Sequence, residues 1–582
     1  MKMNLYDGIL RFVDGEAEFS GGAQAVERER GVSVMFCGSF YNLRDMLPGN
    51  GSPVQAVLER YLKDGSLGFL RDIDGAFAVA VYDRKLRRLL VARDRLGTMP
   101  MFYFLGNNGF YFAHTLSMLR RNSAVPSEID LQAVHDYLAL QYVPCPRTLY
   151  RDVWKMRPGT VLSLSLDDHS IQFKPYWEPD FSQIDRSITA GEAIWRFREL
   201  LDASVARRLS SINGNYAALL SGGLDSTIIT GVVARHTDGP LPTLTMGFPH
   251  PDYDERDRAE FAVGAINREI KTPLDHRVRV IEPDNFQLFE ELVRDYGEPY
   301  ADASLLPTHL LCRWAGEENM AAAFNGDAAD ELFAGYERYL VMRYAGYFRA
   351  VPRWVFKAAA AVMPKGGNER SRKGRALRAC RALGAAPAER YLDIISRFSE
   401  ERRLELYGAR FDGFSPAPTY RIIAEAEKAA SGRHIVERMQ EVDMRTYMPG
   451  DVLPKAVIAS QAAGIDGLAP FLDNAVMDFA MTLPLHLKQN GFSRKHLLKI
   501  AYSEFVPPRI AGQRKKGFGV PVGEWLRTSW HEQMCAHLLE GKLVRQGYFD
   551  RAGLERMMMS HQRREADYSY PLWSLMVLDL FL

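Results

Sequence analysis

A chain of 582 residues is too long for a single compact hydrophobic core, so its length predicts two or three domains. Hydrophobic residues make up 47% of the chain and charged residues 25%, which is the usage of an ordinary globular protein. The formal net charge of +1 provides no strong overall field that would attract nucleic acid or an anionic membrane, and we expect neither as a partner.

The apolar runs and the cysteines bear on the expected compartment. The sequence contains no apolar run of membrane-spanning length, and its beginning lacks the charged and then hydrophobic pattern of a signal peptide. The five cysteines are far apart and have no CxxC spacing, so they indicate neither a disulfide framework nor a zinc site. We therefore expect a cytoplasmic protein.

Residues up to about Leu166 have the pattern of a β-rich domain. Short runs of branched and aromatic residues are separated by Gly, Asn and Asp, and the string Gly-Asn-Asn-Gly at 106–109 predicts a hairpin. One helical pattern, VQAVLERYLK, interrupts the runs, and the whole favours two packed sheets. The predicted strands are VSVMFCGSFYN, GAFAVAVYD, RRLLVARD, MFYFLG and GFYFAH.

A Pro-rich bend at 142–146 and a polar stretch at 177–187 predict a connection between domains. After it, the predicted strands and helices alternate. The helix AIWRFRELLDASVARRL leads to the strand YAALL, a glycine loop, the helix STIITGVVARH and the strand PTLTMGF. This β–loop–α–β order predicts a parallel sheet with helices on both faces. From about 340 to 445 the pattern is mostly helical, and the basic stretch from Lys365 to Arg381 is typical of a solvated helix face.

The string Ser221-Gly222-Gly223-Leu224-Asp225-Ser226 has the features of a phosphate-binding loop. Glycines let the backbone approach an anion, and the free N–H groups at a helix start favour phosphate oxygens. The hydroxyls of Ser221 and Ser226 can add donors, whereas Asp225 suits a Mg²⁺ ion that bridges to the phosphates. No Gly-Lys-Ser/Thr follows, so this is not a Walker loop.

A second string, residues 325–333 (NGDAADELF), follows the apolar run AAAF, which is typical of a strand end. In an open parallel sheet, ligands bind beyond the carboxyl ends of the strands, so both strings are expected to face one crevice. Asp225 and Asp330 could then share a metal ion bound to ATP, and Asp327 could take a proton or orient an amine. Taken alone, the acidic string would fit a helix N-terminal cap equally well.

With these strings, the chain resembles the asparagine synthetase family of amide-forming ligases over nearly its whole length. In the second half, SGGLDS matches the pyrophosphate loop of that family, and NGFSRKHLLK is similar to the segment that carries its catalytic lysine. Further similar segments are EPYADASLLPTHLLCRWA, NGDAADELFAGYERY, APFLDNAVMDFA and RKKGFGVPVGEWLR. In the first half, CGSFYNLRDM, DGAFAVAVYD and RDRLGTMPMFYF resemble the family's glutaminase-type domain, and YVPCPRTLYRDVWKMRPG resembles its junction.

The resemblance implies an α/β multidomain protein. Residues 1–175 would form an Ntn-hydrolase-like β-sandwich with flanking helices. Residues 190–582 would form a doubly wound parallel-sheet ATP-pyrophosphatase domain, similar to the adenine nucleotide α-hydrolases, with a helical extension.

The resemblance also implies a reaction and its residues. A substrate carboxylate attacks the α-phosphate of MgATP, acyl-adenylate and pyrophosphate form, and an amine then displaces AMP. The catalytic residues would be Lys495 and Asp327, and the metal ligands Asp225 and Asp330. By residue pattern alone Lys495, beside Arg494 and Lys499, is typical of a solvated helix lysine. The nucleotide-binding residues would be Leu220, Ser221, Gly222, Gly223, Leu224, Asp225, Ser226, Met246, Asn325 and Gly326.

The first half departs from the family at its glutaminase positions. Active members use an N-terminal cysteine, whereas position 2 here is a lysine and no cysteine precedes Cys37. The family's Asn-Gly-Glu is Cys37-Gly38-Ser39, its Gly-Ser-Asp is Gly51-Ser52-Pro53, and no segment resembles the one with the glutamine-binding arginine. We therefore expect no glutamine hydrolysis. Cys37 lies in a predicted strand, so we expect a buried structural thiol.

The acceptor region departs as well. Lys455 is kept, but the usual Asp and Arg after it are Val457 and Ile458, and the usual arginine before Pro-Phe-Leu-Asp is Leu468. A pocket for free aspartate needs cations for two carboxylates, so a larger or less charged acid, such as a peptide or a biosynthetic intermediate, fits better.

Several functions stay open at this point. They are an amide ligase of specialised metabolism that uses ammonia or an amine, an ammonia-dependent asparagine synthetase, a lactam-forming cyclase of the lasso-peptide type, and a non-catalytic scaffold. β-Lactam synthetase-like relatives carry a tyrosine where this chain has Asp327, so the acidic residue favours the amide-forming branch. Delivery of the amine by another protein and a homodimer both stay open.

Overall fold

The structure is a computed structural model that describes residues 7–13, 16–21, 26–46, 51–251, 253–280, 285–348, 350–362, 379–513 and 519–582. Three of the sequence-based interpretations involve residues outside these ranges. They concern Lys2, most of the basic stretch from Lys365 to Arg381, and residues 514–518 of the string RKKGFGVPVGEWLR.

The first part of the chain folds into two antiparallel sheets. The first sheet has the spatial order β2 (Glu16–Gly21), β1 (Asp7–Val13), β8 (Gly109–Ala113), β7 (Phe102–Gly106) and β9 (Trp154–Lys155). The second has the order β11 (Ile171–Pro175), β10 (Thr160–Ser165), β6 (Arg88–Arg93), β5 (Gly75–Asp83), β4 (Val32–Phe40) and β3 (Val26–Glu29). Phe112 of the first sheet and Leu162 of the second share one buried core. The predicted pair of packed sheets is confirmed, and so is the hairpin, where Gly106 pairs with Gly109.

The helices of this part cover its sheets and make the transition to the second part. The longer of them begin at residues with a suitable cap, since the side chains of Ser52 and Asp130 each accept a backbone N–H of the first turn. The helices are Leu43–Met46, Pro53–Asp64, Leu116–Leu119 and Leu131–Leu140.

The second part is built on a parallel sheet. Its spatial order is β14 (Asp275–Val280), β13 (Pro242–Gly247), β12 (Asn215–Leu219), β15 (Met320–Phe324) and β16 (Asp466–Leu468), and all four pairings are parallel. Parallel strands require crossover connections, and here helices such as Leu224–Arg235 and Leu305–Glu317 provide them. The glycine loop follows β12 and the acidic string follows β15, so both leave the sheet at its carboxyl edge.

Neighbouring residues of β12 show that both faces of this sheet are buried. Ala217 packs into one core with Leu244, while Ala218 packs into another with Ile228 and Ala322. Because successive side chains of a strand point to opposite faces, helices must cover both sides, as the sequence predicts.

Helices make up most of the rest of the second part as far as it is described, including residues 340–348, 350–362 and 379–445 of the predicted helical region. The longer ones before residue 448 are Ala190–Ser211, Arg256–Ile266, Phe286–Tyr296, Glu337–Ala345, Arg353–Val362, Pro387–Ile395, Glu400–Leu406, Tyr420–Ala429 and Ile435–Arg445. After a π-helix at Met448–Val452 come Leu453–Ala462, Asn474–Thr482, His496–Ala501, Val522–Arg527, His531–Glu540, Arg551–Gln562 and Ser569–Asp579.

A buried charge network joins the two parts. Arg208, on the helix Ala190–Ser211, is 1% exposed, and its guanidinium lies 3.2 Å from Asp473 Oδ2 and 3.5 Å from Asp74 Oδ2. It also stacks on the ring of Tyr41, with 4.4 Å to the ring centroid. Arg207 of the same helix also pairs with Asp473 and lies 3.8 Å from Asp74 Oδ2. Tyr41 and Asp74 come from the antiparallel half, whereas Asp473 comes from the parallel half, so two adjacent arginines connect the halves.

None of the helices in the described ranges combines the length and the apolarity that crossing a bilayer requires.

Candidate active site

The glycine loop turns tightly between β12 and the helix Leu224–Arg235. Ser221 Oγ and Ser226 Oγ lie 3.0 Å apart, and the backbone N–H of Gly223 donates to Ser221 Oγ over 3.3 Å. Gly222 has φ +70°, and a Cβ at this position would lie 2.3 Å from the carbonyl carbon of Arg258. A side chain is thus excluded here, and the turn leaves the N-terminus of the helix open to an anion.

The acidic string forms a second tight turn next to the first. Ala328 has φ +76° and precedes the short helix Ala329–Leu332. A Cβ on Gly326 would lie 2.8 Å from Asp225 Cβ, so the two loops touch through a glycine. The two loops therefore meet, as expected, and Asp330 is buried.

Lys495 joins the two loops. Its Nζ lies 2.6 Å from Asp225 Oδ2 and 2.7 Å from Asp330 Oδ1. The residue is 6% exposed and has φ +52° just before the helix His496–Ala501. Burial lowers the pKa of Lys495, against the opposing effect of Asp225. The pattern-based interpretation as a solvated lysine is therefore wrong, because the fold buries this side chain between two carboxylates.

The residues at this point fit a magnesium ion held together with phosphate oxygens. Asp225 and Asp330 share a single cation, so their carboxylates are close enough to bind one ion. Asp225 Oδ1 is buried and has no hydrogen-bond partner, which leaves it able to coordinate. Within the described residues no group of three or more His, Cys, Asp or Glu side chains could hold a metal. Mg²⁺ commonly uses one or two carboxylates and completes its shell with water and phosphate oxygens.

Asp327 lies on the other side of the same loop. Its backbone N–H donates to Asn325 Oδ1 over 3.1 Å, and the Asn325 N–H donates to the carbonyl of Leu468 over 2.9 Å. These bonds fix the loop to β16. Asp327 and Asn325 both line a cavity, which sets them apart from the buried pair of Asp330 and Lys495.

The side chains of Met246 and Leu220 do not point toward the proposed nucleotide site, because both are buried in the cores of the sheet. The side chain of Met246 is buried in the core beneath the sheet, with Leu244 and Phe248, and Leu220 is buried in the core on the opposite face. A nucleotide contact by either residue would therefore come from the backbone at the strand ends. Leu224 lies in the first turn of its helix and is partly buried.

The cavity beside Asp327 lies between the two halves of the protein. Its volume is about 60 Å³. Tyr41, Asp74 and Ala76 line it from the antiparallel half, and Asp327, Val457 and Met477 line it from the parallel half.

A polar cluster surrounds the π-helix. This acceptor cluster consists of Tyr300, Asp302, Asp451 and Lys455. Lys455 Nζ lies 3.2 Å from Asp302 Oδ2, and the Tyr300 hydroxyl donates to Asp451 Oδ1 over 2.8 Å. The π-helix contains Asp451, and short π-helices are frequent at functional sites. From the sequence, Lys455 was identified individually and Tyr300 and Asp302 only as part of the segment EPYADASLLPTHLLCRWA.

The three residues that stand where the family usually has charged acceptor residues are part of the hydrophobic interior. Val457, Ile458 and Leu468 are each less than a tenth exposed, and Leu468 belongs to the core on one face of the parallel sheet. Charged side chains at these three positions would need buried partners. Lys455 is therefore the cation that the acceptor cluster provides, and Asp302 already pairs with it.

The glutaminase-type positions have structural explanations. Cys37 lies inside β4, is 3% exposed, and burial raises its pKa to about 12. The expected buried structural thiol is confirmed, since a thiol with this pKa is not a thiolate nucleophile near neutral pH. Ser52 caps the helix Pro53–Asp64 by accepting the Gln55 N–H over 3.2 Å, and Pro53 occupies its first turn.

Asp451 should make stability depend on pH. Burial raises the pKa of its carboxyl to about 7, and the nearby Asp302 carboxylate adds to the rise. Burial by itself would raise the pKa of Asp302 and lower that of Lys455. The attraction between the two opposite charges outweighs burial, so the pKa of Asp302 is lowered and that of Lys455 is raised. Between about pH 4 and pH 7 the folded protein thus holds a proton on Asp451 that the unfolded chain has lost.

Stability should therefore fall as the pH rises through this window. We expect the free energy of unfolding of the wild type to drop by up to roughly 4 kcal/mol relative to Asp451→Asn between pH 4 and pH 7. Urea unfolding of both proteins across this range measures the difference, and parallel curves would contradict the assignment.

Comparison with known proteins agrees with this geometry. Residues 196–582 match the family model described as asparagine synthase, and residues 17–177 match the model described as a glutamine amidotransferase domain. Asparagine synthetase [glutamine-hydrolyzing] 1 of Bacillus subtilis is 28% identical over 98% of this chain and 87% of its own. A Mycobacterium tuberculosis protein, provisionally named as a glutamine-hydrolyzing asparagine synthetase, is 30% identical over 94% of this chain and 84% of its own.

A solved structure was also found. The glutamine phosphoribosylpyrophosphate amidotransferase of Bacillus subtilis is 12% identical, covers 48% of this chain and 75% of its own, and has a TM-score of 0.21. A score this low has no bearing on the fold.

Proposed function

The chain belongs to the asparagine synthase family of ATP-dependent ligases, and we propose that it activates a carboxylate with ATP and joins it to ammonia or an amine, without hydrolysing glutamine itself. The observation that most directly supports this proposal is Lys495 between Asp225 and Asp330, where two loops of the parallel sheet meet. The proposal assigns residues 190–582 to the ligase domain and 1–175 to a domain that no longer acts as a glutaminase. It also assigns the protein to the cytoplasm.

In the first half-reaction, a carboxylate oxygen of the substrate attacks the α-phosphorus of ATP, and the bond to the β-phosphate breaks to release pyrophosphate. The N–H groups of the glycine loop would bind the pyrophosphate oxygens. Asp225 and Asp330 would hold Mg²⁺, which supplies neutralisation of the phosphate charge when bound. The ammonium of Lys495 would stabilise the charge that develops on the transferred phosphorus centre.

In the second half-reaction, the amine nitrogen attacks the acyl carbon and the bond to AMP breaks. Asp327 lies on the loop that carries Asp330 and lines the cavity from the antiparallel half. Its carboxylate would bind the amine and accept its proton. This supports ammonia or a small amine as the nucleophile, supplied from solution, from another protein or from the substrate.

Loss of glutaminase activity is supported by the first half of the chain. The burial of Cys37 and the capping role of Ser52 show that these positions have structural uses. Neither residue provides an activated nucleophile or a site for glutamine. A purified sample should therefore release no glutamate from glutamine, in the presence or absence of ATP.

The acceptor cluster supports a carboxylic acid other than aspartate. Lys455 is already paired with Asp302, and the positions where relatives carry further charges are the buried residues Val457, Ile458 and Leu468. Within the acceptor cluster as the structure describes it, a second carboxylate on the substrate would have no further cation, which is costly in a partly buried pocket. We therefore propose a substrate that binds as a monocarboxylate.

ATP–pyrophosphate exchange over a panel of acids tests the proposal. Aspartate, glutamate, aliphatic and aromatic monocarboxylates and short peptides would each be incubated with Mg²⁺, ATP and labelled pyrophosphate. We expect at least one monocarboxylate to support exchange about tenfold or more above aspartate, because an unpaired charge penalises the diacid.

Two other results would contradict parts of the proposal. Robust turnover with aspartate, ammonia and ATP would make the protein an ammonia-dependent asparagine synthetase. A folded, Mg²⁺-replete protein that shows exchange with no acid would favour a scaffold. Thermal melting of the same sample would confirm that it is folded.

A further inference from the structure

Lys495 lies between the two carboxylates of the proposed metal site. Its ammonium touches both carboxylates of the proposed metal site, at 2.6 Å from Asp225 Oδ2 and 2.7 Å from Asp330 Oδ1. Two carboxylates that share a small buried space repel each other unless a cation lies between them. Lys495 is that cation in this structure.

The backbone encloses the ammonium on one side. A Cβ on Gly335 would lie 2.0 Å from Asp330 Oδ1 and 2.1 Å from Lys495 Cε. The side chain of Lys495 is 6% exposed. Because the ammonium contacts one oxygen of each aspartate, a divalent ion that binds these same two oxygens must take its position.

We infer that Lys495 is a placeholder for the metal ion: its ammonium neutralises Asp225 and Asp330 while the site is free of nucleotide, and loading of the metal displaces it. This inference rests on the proposed function, because it takes the two aspartates as the metal ligands. It adds a second task to Lys495, which holds the site together before the reaction and is released to the reacting phosphate when the ion arrives.

The exchange has a clear physical basis. An ammonium on a flexible four-carbon stem can move without change in the backbone, whereas the two aspartates are fixed by their loops. The displaced charge would move away from Gly335, toward the phosphates that the glycine loop would bind. Binding of the metal and activation of the lysine would thereby become one event.

Metal binding to the nucleotide-free protein tests this inference. Mn²⁺ favours the same oxygen ligands as Mg²⁺, and its free concentration can be followed by electron paramagnetic resonance. If the ammonium competes for the position, Lys495→Met should bind Mn²⁺ at least about tenfold more tightly than the wild type. The gain should disappear when Asp225→Asn is added, because the metal ligand is then lost.

Lys499→Met is the matched control. Lys499 lies one helical turn away and contacts Ser493 Oγ at 3.4 Å, outside the pair of aspartates. It should change the Mn²⁺ affinity by less than about twofold. An affinity of Lys495→Met equal to or weaker than that of the wild type would overturn the inference, and Lys495→Gln repeats the test if the methionine variant does not fold.

This test and that of the proposed function fail in different ways. Exchange with no acid would defeat the proposed reaction but would leave the Mn²⁺ titration intact, because no substrate or nucleotide is present in it. Conversely, an unchanged Mn²⁺ affinity would remove the placeholder role while exchange with a suitable acid continued.

Discussion

Asp225→Asn is expected to reduce ATP–pyrophosphate exchange by roughly 10²- to 10³-fold or more, as the loss of a single electrostatic group at a reacting phosphate commonly does. Asp225 lies in the first turn after the glycine loop, contacts Lys495 at 2.6 Å and has a buried oxygen without a hydrogen-bond partner. The amide keeps the shape but loses the charge that a metal requires. Exchange measured with the best acid of the panel determines the effect.

The matched control for this variant is Asp257→Asn. Asp257 lies in the first turn of the neighbouring helix Arg256–Ile266 and is exposed, so its amide should leave exchange within about twofold of the wild type. If Asp225→Asn kept most of the exchange activity while remaining folded, the assignment of the glycine loop would be wrong.

A large loss of stability is expected for Arg208→Met. Removal of this guanidinium leaves Arg207 as the remaining cation, since it lies 3.8 Å from Asp74 Oδ2 and also pairs with Asp473. We therefore expect a cost of about 3 kcal/mol, at the lower end of the range for breaking a buried ion pair. Because these carboxylates come from different halves of the chain, we expect the halves to separate more easily as well. Urea unfolding and limited proteolysis of the junction near residues 177–187 measure both effects.

Arg196→Met controls for a change of charge on the same helix. Arg196 is exposed on Ala190–Ser211, and its loss should alter stability by no more than about 0.5 kcal/mol. The double variant of Arg208→Met with Asp74→Asn should recover part of the loss, since one unpaired charge is removed. Equal midpoints for Arg208→Met and the wild type would show that the network contributes nothing.

Elements with a strong local signal were predictable from the sequence. The run GAFAVAVYD coincides with β5, and the strand, loop and helix around residues 215–235 follow the predicted order. Each of these patterns can be recognised within about ten consecutive residues: alternating branched residues, a glycine turn and a helical period. The glycine loop could be identified for the same reason, because its chemistry lies in six consecutive positions.

Features that depend on distant residues were less accessible. Lys495 contacts an aspartate 270 positions earlier, and only the family resemblance pointed to it. No periodicity connects Arg208 with Asp473, which is 265 positions away. The π-helix at Met448–Val452 differs from an α-helix by a single extra residue in a turn, so its sequence pattern resembles that of any helix. The position of Asp451 in the acceptor cluster was therefore not predicted.

The cavity between the two halves limits the size of a molecule that can lie beside Asp327 within it. A volume of about 60 Å³ corresponds to roughly four to six water molecules. Ammonia fits in this space between Tyr41 and Asp327, whereas an amino acid or a peptide amine is too large for it. A ligase that uses a larger amine would therefore have to bind it outside this cavity.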